Sequence, residues 1–98
     1  MGKRKITILE TAAAEVAHIA FYIESTGMPA TAKKFVAAAF SFFETLADDR
    51  IKYRLCNVPE WKKAGYRCVN FKKKYVVALL DKENEIIIVD FALQKLLH

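Results

Sequence analysis

Tyr66-Arg67-Cys68-Val69-Asn70-Phe71-Lys72-Lys73-Lys74-Tyr75-Val76-Val77-Ala78-Leu79-Leu80 decides the fold. Its first six residues alternate in character. Tyr66, Cys68 and Asn70 share one face of an extended chain, and Arg67, Val69 and Phe71 share the other, because successive side chains of a strand point to opposite sides. The three lysines break the apolar pattern and read as a turn. Residues 75–80 are a continuous apolar run, as expected of a central strand buried on both faces. A polar stretch, residues 81–85, separates it from another apolar strand over 86–91. Two such turns between three strands predict an antiparallel meander.

Upstream the periodicity changes. Val16, Ile19, Ala20 and Ile23 recur at helical spacing within residues 12–25. Thr11 is placed to cap this helix, and Gly27 sits where a helix-terminating glycine belongs. Pro29 opens a second helix with Thr31 as its expected N-cap. Phe35, Val36, Ala39, Phe40, Phe42, Phe43 and Leu46 form its apolar stripe, and Asp48-Asp49 end it. Four phenylalanines in one helix read as core packing rather than a ligand pocket. The short connection predicts antiparallel helices. Lys5-Ile6-Thr7-Ile8-Leu9 reads as a first strand, residues 52–56 as a short edge segment, and residues 92–98 as a closing helical turn. The expected fold is α+β in a single domain over residues 1–98. It has an N-terminal strand, a two-helix hairpin and a three-stranded meander, with the helices packed on one sheet face. The other face is expected to be partly open and lined by the meander's basic residues.

Charge is uneven along the chain. Residues 1–50 carry six basic and six acidic side chains, and residues 51–98 carry ten basic and five acidic. The net +5 therefore belongs to the C-terminal half. Such a surface suits an anionic partner, either nucleic acid or an acidic protein segment. The N-terminal Lys3-Arg4-Lys5 precedes too short an apolar run for a secretory signal, and no apolar stretch is long enough to cross a membrane. Cys56 and Cys68 lack metal-ligand spacing. They are expected as reduced, buried thiols, because a disulfide between them would require an oxidising compartment.

The order and length resemble the RelE/ParE toxin superfamily over roughly residues 5–95. The most specific stretch is Pro59-Glu60-Trp61-Lys62-Lys63-Ala64-Gly65-Tyr66-Arg67, a polar turn followed by Gly-Tyr-Arg. Lys74-Tyr75-Val76-Val77 with Asp81, and Ile86-Ile87-Ile88-Val89-Asp90-Phe91, resemble the strands that follow. The chain departs from the pattern at Leu93, where a polar residue is usual, and at Lys95, where Arg is common. It also has Ala78 or Leu79 where a tyrosine often stands. The resemblance implies a plasmid-stabilisation toxin in the cytoplasm, neutralised by a cognate antitoxin with an acidic tail. The implied assembly is a homodimer or a toxin–antitoxin hetero-oligomer. Its implied target is DNA gyrase in the ParE branch, or ribosome-bound mRNA in the RelE branch. An inactive or nucleic-acid-binding member of the same fold is the third reading.

Cleavage of RNA requires cations around the scissile phosphate and a group to handle the 2′-hydroxyl proton. The catalytic candidates for that chemistry are Arg67, Lys74, Tyr75 and Lys95, with Tyr66 as a second phenol. Two of them have a plainer reading: Lys74 as hairpin tip, Tyr75 as core. The partner-binding candidates are Lys62, Lys63, Arg67 and Lys95. His18, on a helix, and the terminal His98 read as packed or surface residues. No Ser/His/Asp set, paired carboxylates or glycine-rich phosphate loop is present, so neither cofactor nor metal is expected.

Overall fold

The computed structural model describes residues 3–96. The elements are β1 (Lys5–Ile8), α1 (Glu10–Ser25), α2 (Pro29–Thr45), β2 (Arg54–Leu55), α3 (Pro59–Lys63), β3 (Arg67–Phe71), β4 (Tyr75–Asp81) and β5 (Glu85–Leu93). A 3-10 turn follows at Gln94–Leu96. The expected α+β order is present, with the strands in one five-stranded sheet ordered β1-β5-β4-β3-β2. The meander is antiparallel, and β1 closes the far side by pairing parallel with β5.

The helix hairpin covers one face of the sheet. Phe43, Leu79, Ile86, Ile88 and Phe91 are fully buried there, and Val16 and Ala39 supply helix contacts. Phe35 and Phe43 both meet Phe91 edge-on, so α2's phenylalanines serve the core, as the spacing predicts. Gly27 has a φ of +90° just after the α1 cap residue, the left-handed position that glycine occupies without a Cβ penalty.

Several local expectations are corrected. Thr11 lies inside α1, where its hydroxyl donates to the Val89 carbonyl at 2.6 Å instead of capping the helix. Thr31 lies inside α2, which starts at Pro29, because proline at the first helical position lacks the N–H that a cap would satisfy. The polar stretch 59–63 is a helical turn. Asp81 belongs to β4, and Ala92 and Leu93 belong to β5; His98 lies outside the described residues.

β5 carries a bulge. Ala78 pairs with Asp90 while Leu79 pairs with Ile88, leaving Val89 as the extra residue. The bulge turns both Ile88 and Phe91 toward the helices and Val89 toward the opposite face. That opposite face is not lined by the meander's basic residues. It carries a second apolar cluster of Cys56, Cys68, Val76, Ala78 and Val89, against which Trp61 and Tyr66 pack. The expected lysines lie elsewhere because Lys72, Lys73 and Lys74 occupy the β3–β4 hairpin tip rather than strand positions. The cysteines also differ from expectation: Cys56 and Cys68 are disulfide-bonded. β2 and β3 are neighbouring strands, and their pairing brings the two Cα atoms to 4.9 Å, a separation that a disulfide spans.

Candidate functional site: a lysine-rimmed groove

An open groove runs between the helix hairpin and the β3–β4 hairpin. Its floor is apolar, formed by Ile19 and Ile23 of α1, Phe35 of α2, Tyr75 and Leu93. Its rim carries Lys34, Lys72, Lys73, Lys74 and Lys95. Among the described residues no carboxylate lines it. Tyr22 and Met28 flank it with 68% and 49% of their surfaces exposed, and Phe21 beside Tyr22 is 71% exposed. Large exposed apolar side chains next to a single-sign charged rim mark an interaction surface.

Local structure explains how the lysines meet. Lys72 and Lys73 have φ values of 54° and 62°. The loop between β3 and β4 holds three residues, 72–74, and the Lys74 N–H donates to the Phe71 carbonyl at 3.3 Å, so Lys72 and Lys73 are the central residues of a tight turn, positions with φ > 0 that Asn and Gly fill most readily. A lysine held there costs on the order of 1 kcal/mol or more. The sequence thus accepts local strain to keep cations at the tip. Lys72 also lies over the Phe71 ring, 5.6 Å from its centroid. The Gln94 N–H donates to the Lys74 carbonyl at 2.8 Å, which fixes the 3-10 turn against the hairpin and brings Lys95 beside Lys74.

The candidates from sequence fall in three places. Lys74, Tyr75 and Lys95 share the groove. Arg67 opens β3 at its other end, about 13 Å from Phe71 along the strand. There it lines a small polar pocket with Lys52, Tyr53, Asp81, Lys82 and Glu83, and its guanidinium donates weakly to the Tyr53 carbonyl at 3.5 Å. Lys62 and Lys63 are exposed at the end of α3. Tyr66 packs in the outer cluster. Tyr75 is 8% exposed, and burial raises its phenol above the usual tyrosine range, so at neutral pH it stays protonated. His18 is exposed at the groove, 3.8 Å from Glu15. Sequence reasoning singled out neither Tyr22, Met28 and Lys34 nor Lys72 and Lys73 as site residues. The lysine run, a turn with three cations, was the signal for Lys72 and Lys73, and nothing local signals the three helix-hairpin residues.

The polar end of the sheet is structural. Arg4 donates to the Asp81 carboxylate and to the Asp48 carbonyl at 3.2 Å, joining the segment before β1 to β4 and to the loop after α2. The Arg50 guanidinium and N–H hold the Asp48 carboxyl down at about 2. The Tyr53 hydroxyl donates to the Leu46 carbonyl at 2.8 Å. Among the described residues no cluster of His, Cys, Asp and Glu could hold a metal ion, and no helix is long and apolar enough to cross a membrane.

A helix hairpin on a five-stranded sheet, with a lysine-rimmed groove beside the β3–β4 hairpin, defines a small α+β protein. A family model described as the ParE toxin of the type II toxin–antitoxin system parDE matches residues 6–95. The chain therefore belongs to the ParE toxin family, as the toxin of a type II pair with an antitoxin as its partner. The chain is similar to a solved structure titled "Chromosomal ParDE TA system from P. aeruginosa". The TM-score is 0.76 at 19% identity, covering 93% of this chain and 96% of that one. At that identity the likeness bears on the fold. No curated protein matches the chain.

Proposed function

We propose that the lysine-rimmed groove is the seat of the antitoxin's acidic tail, and that the free toxin poisons DNA gyrase in the cytoplasm. The observation that carries the first part is the groove's composition, an apolar floor under five lysines with no carboxylate among the described lining residues. An acidic amphipathic segment would bury apolar side chains on that floor while the rim steers its approach. Support for the second part is the separation of Arg67 from Lys74 and Lys95. A phosphate at either position is met by only part of the cation set that RNA cleavage requires.

Induced expression in a bacterial host, with growth, SOS induction and mRNA integrity followed together, tests the target. Growth arrest with SOS induction and intact mRNA is expected. Arrest with cleaved mRNA and no SOS response moves the assignment to RelE-like cleavage. In that case alanine at Arg67, Lys74 or Lys95 should abolish toxicity. The groove is tested by titrating the cognate antitoxin against Lys34→Glu and Lys74→Glu. Binding should weaken about tenfold or more at low ionic strength, with the difference narrowing as salt screens the rim. Lys62→Glu, on α3 outside the groove, serves as the control, and an equal loss there would place the tail elsewhere.

A further inference from the structure

The disulfide closes a ring around α3. Cys56 and Cys68 stand twelve residues apart and are 1% and 6% exposed. Between them lies α3, none of whose five residues is buried. The ring holds the chain's one tryptophan, Trp61, which packs partly buried on the outer cluster. Its other ties are few. β2 pairs with β3 only at Arg54–Cys68 and Leu55–Arg67, and the Cys56 N–H donates to the Tyr66 carbonyl at 3.0 Å. The Tyr66 N–H donates to the Trp61 carbonyl at 2.9 Å, a bond within the ring that does not fasten it to the sheet. A five-residue helix does not persist by itself. Beside the packing of Trp61 and Tyr66 on the outer cluster, the covalent bond is the tie that fastens this segment to the sheet, and its removal restores the loop's conformational freedom.

We propose that Cys56 and Cys68 form a reversible redox site: oxidised, they lock the α3 segment, residues 57–66, onto the outer face of the sheet, and a dithiol reductant releases it. In the step, one thiolate of the reductant attacks a cysteine sulfur. The protein S–S bond breaks and a mixed disulfide forms. The reductant's second thiolate then displaces the remaining protein sulfur. Two electrons pass to the protein, two protons end on the Cys56 and Cys68 thiols, and the reductant leaves as a cyclic disulfide. Both sulfurs are buried, so attack follows a local opening of the ring. Release uncovers Val76, Ala78 and Val89 and frees Lys62 and Lys63 from a fixed position. In a reducing compartment the segment is open, and oxidative stress closes it.

The test uses the full chain. Thiol alkylation and intact mass under air should label neither cysteine, and after dithiothreitol should label both. Reduction should move the Trp61 emission maximum to the red. It should also speed hydrogen exchange in residues 57–66 by about tenfold or more, while residues 75–80 keep their protection. The Cys56→Ala/Cys68→Ala variant should match the reduced wild type and ignore dithiothreitol. If that variant fails to fold, the comparison of oxidised with reduced wild type decides alone. Thiols that label fully even after treatment with oxidised glutathione would overturn the proposal. So would emission and exchange that do not change on reduction.

Discussion

Phe91 has no exposed surface and meets Phe35, Phe43, Phe71 and Tyr75. Truncating such a ring costs about 3–5 kcal/mol, against a total of about 5–15 kcal/mol for a domain. Phe91→Ala should therefore lower the urea midpoint sharply or leave the chain unfolded, as circular dichroism would show. Tyr75 gives a pH signature. Burial raises its folded-state value above 10.0, its ordinary one. The unfolded chain then loses the phenolic proton first, so stability falls as pH climbs past about 10 toward the folded-state value. Tyr75→Phe should flatten that part of the urea-midpoint profile, and an unchanged slope would point to Tyr53, which burial shifts the same way.

Among the elements, the β3–β4 hairpin opposes stability to function. Replacing Lys72 by Asn and Lys73 by Gly gives the turn its preferred residues, and should raise stability by about 1–2 kcal/mol. The same change removes two rim cations, so antitoxin affinity should fall while the melting temperature rises. The helix pair and the meander were legible in sequence because each announces its period over many residues. Phe35, Ala39 and Phe43 mark one helical face, and Val69 and Phe71 mark one strand face. The β5 bulge was not legible, because Ile86-Ile87-Ile88-Val89 is apolar on both faces and hides a slip of one residue. α3 was hidden by its brevity, since five residues with two lysines carry no amphipathic signal. The site was half legible. Lys74 and Lys95 announced themselves as cations, but Tyr22, Met28 and Lys34 join them only through the tertiary approach of the helix hairpin. Arg67 was grouped with them by charge, although its place at the start of the 66–71 strand already set it a strand length away from the lysine turn.

At the scale of the whole molecule, net charge and sheet order matter most. With +5 overall and the lysine rim on one side, association with an acidic antitoxin should slow markedly as ionic strength rises while dissociation changes less. Stopped-flow rates across a salt series would show it. The sheet order has a different reach. β5 lies between β1 and β4, so the last strand in sequence joins the first to all the others. A chain that ends before Glu85 has nothing for β1 to pair with and leaves the helix-facing side of β4 short of Ile86, Ile88 and Phe91. On the ribosome, a nascent chain that has not yet reached Glu85 thus cannot complete its sheet, and a translation event that stops early should release no folded toxin.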